Sequence, residues 1–277
     1  MSPESTFVDV SQFTAVDQVS DPAAMIEMLD RLKRLLRAPK DALLDRLAVQ
    51  GARAALDVGC GTGGDVVEMA SRMSQGCEAV GVDASKAMIT EARRRHSGPL
   101  ADAGAGVSVT FRLGDALGLP YPDGAFDVCR AETVLQHLRD PRQAIREMVR
   151  VTRPGGRVGA LEFDHGGSML DHPDQQATQA ILNAYTDSIA CGCMGRQLPR
   201  MFREAGLTEV SVDPFVIFGT LQAFRGLLTP TMARLRDEHV LTGEQANEWW
   251  AALSRWEAEG NFLGSATAFV VTGIRGH

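Results

Sequence analysis

The chain has 277 residues, of which 44% are hydrophobic and 23% are charged, a composition typical of a globular protein with a sizeable core. Its net charge of -7 argues against a nucleic-acid partner, because binding phosphates requires clustered lysine and arginine. The five cysteines lack the spacing of a zinc site, and no leader and no run of about 18 apolar residues occur, so we expect a cytoplasmic protein with reduced thiols and no membrane partner.

The first 50 residues are predicted to contribute two helices. Ser20-Asp21-Pro22 is a capping residue followed by proline, which is typical of a helix start, and apolar residues then recur at helical spacing up to Leu36. A second helix is predicted from Lys40 to Val49. We expect residues 1–50 to form a helical extension or lid and residues 51–277 to form the main domain.

From residue 54 onwards, predicted strands and helices alternate. The first five strands are predicted at 54–58, 79–82, 107–113, 126–129 and 157–163, with a glycine-rich connection at 98–106 before the third. With two later strands at 207–216 and 266–274, this pattern predicts an α/β fold built on a doubly wound, mostly parallel sheet of seven strands. Ligands of such sheets bind beyond the carboxyl ends of the strands.

The alternation is predicted to stop at Asp164. Helices follow at 174–190 and 196–205, and the segment 219–262 before the last strand is far longer than a hairpin turn. Because long connections are usually functional, we expect residues 164–200 and 219–262 to form a helical cap on the substrate side. Its apolar side chains favour an apolar ligand, unless they are only core: Phe218, Leu221, Phe224, Trp249, Trp250 and Phe262.

A glycine-rich stretch, Asp57-Val-Gly-Cys-Gly-Thr-Gly-Gly-Asp65, follows the first strand and enters a helix. Gly59, Gly61 and Gly64 fit the dinucleotide pattern GxGxxG, which alone is a weak signal. A pyrophosphate requires bare N–H groups and a positive helix end, whereas this loop carries a carboxylate on each side. The two acids repel a diphosphate and attract a cation, so the charges favour a cationic ligand.

The stretch Asp57 to Gly64 resembles motif I of the class I S-adenosylmethionine (SAM) dependent methyltransferases, whose cofactor carries an ammonium and a sulfonium. Phe126-Asp127-Val128 and Arg153-Pro-Gly-Gly156 resemble later motifs of the same enzymes, so the similarity covers about residues 54–163. Gly195-Arg-Gln-Leu198 and the run Phe202 to Leu207 are similar to the UbiE-like small-molecule branch. The resemblance implies SAM as the cofactor and S-adenosylhomocysteine as the product.

Several residues at predicted strand ends acquire cofactor roles from this resemblance. Asp83 lies about 20 residues beyond the last loop glycine, where an acid accepts both ribose hydroxyls, and it also suits a helix cap. Asp115 would accept from the adenine amine, and Asp57 would hold the methionine amino group. Arg130 or Gln136 would reach the methionine carboxylate, although Arg130 also fits a surface ion pair. The predicted cofactor set is Asp57, Gly59, Gly61, Asp83, Ala84, Met88, Gly114, Asp115, Ala116, Arg130 and Gln136.

Two histidines are the predicted general bases. His137 and His165 flank the expected position of a methyl acceptor, and histidine titrates near neutrality, whereas the exposed carboxylates expected at Glu162 and Asp164 are weaker bases. The alternatives are that His137 caps a short helix and that His165 lies in a glycine loop. A base is also optional, because holding the acceptor in line can lower the barrier by roughly 7–11 kcal/mol.

The sequence therefore predicts a methyltransferase of secondary metabolism that acts on the oxygen, carbon or nitrogen of a small, largely apolar acceptor. No metal and no nucleic acid are expected, since no metal-ligand cluster or DNA-methylation motif stands out, and assembly into a homodimer is left open. The alternatives are a SAM-binding cyclase or isomerase, a nicotinamide oxidoreductase, and a non-catalytic SAM-binding protein.

Overall fold

The computed structural model describes residues 34–96 and 106–277. The helix predicted to start at Ser20 lies largely outside these residues, as does most of the connection 98–106. Within the described parts, the helices and strands follow the predicted order.

Seven strands form a single sheet with the order β3-β2-β1-β4-β5-β7-β6. The first five strands pair in parallel, and β7 pairs antiparallel with both β5 and β6. The predicted doubly wound α/β fold is confirmed. The strands are β1 (Ala54–Val58), β2 (Glu78–Asp83), β3 (Ser108–Leu113), β4 (Phe126–Glu132), β5 (Thr152–Leu170), β6 (Leu207–Phe218) and β7 (Gly264–Arg275).

Helices cover both faces of the sheet. They are α1 (Arg37–Leu47), α2 (Gly64–Ser71), α3 (Lys86–His96), α4 (Pro141–Val151), α5 (Gln175–Asp187), α6 (Met194–Glu204), α7 (Leu221–Asp237) and α8 (Gly243–Ala258). The helices α1, α2 and α3 bury apolar residues on one face, where Leu43 and Leu47 share a core with Val128. The helices α4 and α6 bury theirs on the other face, where Phe202 is fully enclosed. Each fully buried leucine contributes about 1.5–3 kcal/mol to folding.

Strand β5 is much longer than the sequence pattern predicts. Its pairing with β7 runs up to Asp164 and resumes, after a register shift, at Met169 and Leu170. The predicted end of this strand at residue 163 is therefore wrong, because β5 extends to Leu170, but the alternation of strands and helices does stop after β5, where two helices follow in succession. Gly166 and Gly167 obscured this extension, because glycine is a poor strand former and the pairing partner lies about 100 residues away in sequence.

The C-terminal helices pack around a separate apolar core. Leu221, Phe224 and Trp249 are buried against α5, and the indole Nε1 of Trp249 donates to Thr178 Oγ1 at 2.9 Å. These side chains hold α5, α7 and α8 together. Their apolar character is explained by this packing and gives no evidence that the ligand is apolar. Phe218, in contrast, is 60% exposed at the end of β6. The role of these helices as a substrate-side cap stays a prediction.

Candidate functional site

The glycine-rich stretch forms a tight turn at the carboxyl end of β1. Gly59 adopts a φ of 73°, its N–H donates to the Val82 carbonyl at 2.7 Å, and a Cβ here would lie only 2.2 Å from a methyl group of Val134. Gly61 also has a positive φ of 51°, but nothing lies within 4 Å of where its Cβ would stand. The turn is thus closed at Gly59 and open at Gly61, where a ligand can approach the backbone.

The carboxylate of Asp83 ties this turn to the end of β2. Its Oδ2 accepts from the Gly61 N–H at 2.8 Å, and its Oδ1 accepts from the Ser85 N–H at 2.8 Å. Ser85 Oγ in turn accepts from the Met88 N–H at the start of α3. A carboxylate oxygen has two lone pairs and can accept more than one hydrogen bond, which is the chemistry that the predicted ribose contact of Asp83 requires.

The remaining predicted residues of the adenosine side lie around Asp83. The Gly114 N–H donates to the Asp83 carbonyl at 3.0 Å, which joins the ends of β2 and β3. Asp115 is exposed, with Oδ1 accepting from the Leu117 N–H at 2.9 Å. Met88 and Ala116 are buried and Ala84 is exposed. The structure brings these residues together at one sheet edge, and their contacts with adenosine stay a prediction.

A buried ion network lies beside the turn. Asp57 of β1 and Arg130 of β4 are register partners, with Arg130 Nε 3.3 Å from Asp57 Oδ1. Arg130 also pairs with Glu132. Arg130 is 0% exposed, so its interpretation as a surface ion pair is wrong.

Lys40 of α1 extends this network. Its Nζ lies 2.7 Å from Glu132 Oε1 and 2.9 Å from Asp65 Oδ2. Sequence reasoning placed Glu132 at a strand end but gave neither Lys40 nor Glu132 a role, because no motif marks either residue and α1 lies well before the glycine stretch in the chain. The one usable signal was a lysine within the otherwise apolar face of a predicted helix.

Burial changes the acid–base behaviour of this network. Desolvation raises the pKa of Asp57 to about 7, although the Arg130 guanidinium opposes the shift. Desolvation likewise raises the pKa of Glu132. Burial alone would lower the pKa of Lys40, but its ion pairs with Glu132 and Asp65 outweigh that effect and raise it. A cation that enters beside Asp57 favours its ionised form.

Glu162 organises the turn between β4 and α4. Its carboxylate accepts the backbone N–H groups of Val134 at 2.9 Å, Leu135 at 2.7 Å and Gln136 at 3.3 Å. The turn begins with Thr133 at a φ of 50°, an uncommon conformation for a residue other than glycine that needs support from its surroundings. Glu162 is fully buried, so the prediction of an exposed carboxylate here is wrong, as it is for Asp164, which is buried and pairs with Arg196.

The two candidate bases lie near this turn and are both buried. Burial lowers the pKa of His137 and that of His165 to about 4, the latter with a smaller contribution from His137. Their titration near neutrality, predicted from the free side chain, is therefore wrong. His137 ends the short 3-10 turn Leu135–His137, and its Nε2 lies 3.1 Å from Gln136 Nε2.

His165 lies within β5 rather than in a glycine loop. Its ring stacks on Phe163, with centroids 5.3 Å apart, and meets Tyr185 edge-on at 5.3 Å. Its Nε2 has no hydrogen-bond partner among the described residues. The segment before α6 joins the two candidates, since Cys191 N–H donates to the Gln136 carbonyl and His165 N–H to the Gly192 carbonyl, each at 2.8 Å. A neutral imidazole with a free acceptor nitrogen can take a proton.

Comparison with known proteins identifies the family of the chain. Residues 56–159 match the family model described as a methyltransferase domain. A demethylmenaquinone methyltransferase from Thermus thermophilus is 39% identical over 139 residues, which cover 48% of this chain and 60% of that protein. The chain belongs to the UbiE-like class I SAM-dependent methyltransferases. SAM is therefore its cofactor.

The similarity to two further proteins covers most of the length of this chain. An uncharacterised 37.1 kDa protein in a transposon of Streptomyces fradiae is 35% identical over 240 residues, covering 85% of this chain and 66% of that protein. The crystal structure of the [4+2]-cyclase SpnF superposes with a TM-score of 0.52 at 25% identity, covering 86% of this chain and 81% of the cyclase. The chain thus spans less than two thirds of the length of the two sequence relatives.

The side chains of the methyltransferase site fit the charges of SAM. The cofactor has an ammonium that suits the Asp57 carboxylate and a carboxylate that suits Arg130 Nη1, which is buried and has no hydrogen-bond partner among the described residues. Over the same part of the chain, no group of three or more histidine, cysteine or acidic side chains is arranged to hold a metal. No helix between residues 34 and 96 or 106 and 277 is long and apolar enough to cross a membrane.

Proposed function

We propose that the chain is a SAM-dependent methyltransferase that methylates the oxygen, carbon or nitrogen of a small, largely apolar metabolite and releases S-adenosylhomocysteine. The observation that carries the proposal is one juxtaposition at the ends of β1, β2 and β4. There the open glycine turn, the Asp83 carboxylate and the buried Asp57–Arg130 pair lie side by side. A role in secondary metabolism, a cytoplasmic location and a homodimer remain parts of the proposal.

The cofactor roles follow from the chemistry of each group. Asp83 accepts from the ribose hydroxyls, and Asp115 with Ala116 and Met88 forms the adenine side. Asp57 holds the methionine ammonium beside Gly59 and Gly61, while Arg130 and Gln136 face the carboxylate. SAM, when bound, supplies an electrophilic methyl group on its sulfonium.

The protein itself positions the acceptor, excludes water from the site and supplies a proton acceptor. Glu162 fixes the turn that carries Gln136 and His137 through three backbone hydrogen bonds, so the wall of the site is preorganised. His165 Nε2 takes the proton of an acceptor hydroxyl or enol, which typically accelerates a reaction about 10²–10⁴-fold. Phe163 and Tyr185 pack against the ring of His165 and keep it away from water.

The acceptor class also draws support from a relative. The Thermus protein is named as a demethylmenaquinone methyltransferase. This relative replaces the cap residues as the reason to expect an apolar molecule, because Leu221, Phe224 and Trp249 are buried in the core between the helices.

Calorimetric titration with SAM tests the cofactor assignment. Replacing Asp83 with alanine leaves ligand hydroxyls and the Gly61 N–H without their acceptor, which costs about 1–3 kcal/mol, so Asp83→Ala should weaken SAM binding about tenfold or more. Asp123→Ala, which removes an exposed acid far from the turn, serves as the matched control and should bind normally. Equal affinity of folded Asp83→Ala and the unmodified chain would refute the assignment.

A SAM-binding cyclase or isomerase is the second candidate, because the structure also resembles a [4+2]-cyclase. Product mass separates the two. Extracts of the native producer, incubated with the chain and methyl-labelled SAM, should yield a product heavier by one labelled methyl group and an equal amount of S-adenosylhomocysteine. A converted product of unchanged mass would instead establish the cyclase alternative.

A further inference from the structure

Lys40 is an unusual residue in its position. It lies on α1, in the same helix as the buried Leu43, Leu44 and Leu47, and its side chain is only 9% exposed. Lysine is rarely buried unless it is paired, because removing its charge from water is costly. Its pairing with Glu132 at 2.7 Å and with Asp65 at 2.9 Å meets that requirement.

The contacts of Lys40 continue to the residue proposed to hold the cofactor ammonium. Glu132 pairs with Arg130, and Arg130 Nε lies 3.3 Å from Asp57. Arg130 is fully buried and its Nη1 has no hydrogen-bond partner in the described chain. An unpaired N–H in such a place points to an anionic ligand group. The network therefore runs from α1 through β4 to β1 and ends on a site for a molecule that carries both charges.

We propose that Lys40 is a positioning residue for cofactor binding: by neutralising Glu132 and Asp65, it keeps the Asp57 carboxylate ionised and oriented to receive the SAM ammonium. The proposal rests on the proposed role of Asp57 in SAM binding. It also couples α1, which precedes the sheet, to the loading of the cofactor.

The charges that face Asp57 determine how Lys40 acts. They come from every element packed against it: Lys40 of α1, Asp65 of α2, Arg130 and Glu132 of β4, with the neutral thiols of Cys60 and Cys129 alongside. Arg130 and Lys40 lower the pKa of Asp57, whereas Asp65 and Glu132 raise it. Removing Lys40 therefore raises the pKa of Asp57, and the protonated acid binds an ammonium poorly.

The test measures the Kd of SAM by calorimetry from pH 6 to pH 9. In the unmodified chain, affinity should fall below a midpoint near 7, where Asp57 takes up a proton. Lys40→Met should move that midpoint upward by about half to one pH unit, which weakens binding about three- to tenfold at pH 6 and hardly at all at pH 9. Lys40→Arg should keep the midpoint of the unmodified chain.

Arg46→Met provides the matched control. Arg46 is also a cation of α1, but it pairs with Asp213 of β6 at 2.8 Å, away from the network. The Arg46→Met variant should therefore bind SAM with an unchanged Kd at every pH. If Lys40 only anchored α1, Lys40→Met would weaken binding equally at all pH values, and this outcome would overturn the proposal.

A charge-compensating double variant tests the electrostatic role of Lys40 independently. Lys40→Met combined with Glu132→Gln removes one charge of each sign, so the midpoint of the pH dependence of SAM affinity should return toward that of the unmodified chain. Failure of the double variant to recover, while it remains folded, contradicts the electrostatic role. If the unmodified chain does not bind SAM, the cofactor assignment fails as well; if it binds SAM and Lys40→Met matches it throughout, only the Lys40 proposal fails.

Discussion

His165 remains neutral over the whole physiological pH range, because burial lowers its pKa to about 4. An imidazole with a pKa near 4 is unprotonated at any higher pH and can accept a proton there, although it is a weaker base than a free histidine. We therefore expect His165→Ala to keep SAM affinity and to lose at least about 100-fold in turnover. In the pH–rate profile of kcat, the acidic limb near pH 4 should disappear in the variant.

The limb near pH 7, assigned to Asp57, appears in kcat/KM for SAM and should persist in His165→Ala. His239→Asn is the matched control, since His239 is exposed and has a φ of 58° that asparagine tolerates. Full turnover of His165→Ala with the acceptor identified by product mass would mean that catalysis proceeds by positioning alone.

The positions of some site residues could be predicted from the sequence, whereas those of others could not. Gly59, Gly61 and Asp83 were predictable, because they belong to a local pattern that ends in a strand and reaches the sheet edge. Lys40 and Glu132 were not, because their contact joins α1 to β4 across about 90 residues. The lowered pKa values of the two histidines could not be predicted from a sequence pattern either, since they depend on burial by elements that lie far apart in the chain.

Among the connecting elements, the β4–α4 turn depends on a single carboxylate. Burial raises the pKa of Glu162 to about 8, against the opposing effect of its backbone donors. A carboxyl that binds its proton more tightly when folded stabilises the fold at low pH and loses that contribution as the pH rises toward 8. The free energy of unfolding of the unmodified chain should therefore decline from about pH 5 to pH 8, by up to about 1.4 kcal/mol per pH unit from this group.

The variant Glu162→Gln keeps the shape and an acceptor oxygen but cannot ionise. Urea unfolding at several pH values should show a flatter decline in Glu162→Gln than in the unmodified chain, whereas the exposed Glu257→Gln should show none of this difference. If Glu162→Gln and the unmodified chain show an identical pH dependence, Glu162 is not the group whose titration lowers the stability.

Elements with strong periodicity were predicted well, and their ends less so. The first three strands form within one residue of the predicted limits, because each combines an apolar core with a clear turn signal. The end of β5 was missed because its last residues are held by distant β7. The apolar stripe of α8 left core packing and ligand binding both open, since a helical pattern alone does not distinguish them, and Trp249 proves to be buried in a core.

At the scale of the whole molecule, α1 is oriented by two ion pairs at opposite ends. Lys40 in its first turn contacts Glu132 at the carboxyl end of β4, whereas Arg46 in its last turn contacts Asp213 of β6. The N-terminal end of α1 thus lies at the sheet edge that carries the candidate site. This position of α1 is the reason to keep the expectation that residues 1–50 form an extension or lid, with residues 1–19 closing over the acceptor.

Deleting residues 1–19 tests this closure. The deletion leaves the glycine turn, Asp83 and the Lys40 network intact, so SAM affinity measured by calorimetry should remain within about twofold. Turnover with the acceptor identified by product mass should fall, because a site open to water loses both its electrostatic strength and its hold on the acceptor. Changing Phe7 and Phe13 to serine in the full chain should reproduce the loss, since they are the largest apolar side chains of the segment. If both variants turn over at the rate of the unmodified chain, the segment does not close the site, and water must be excluded by the helices that follow β5 and β6.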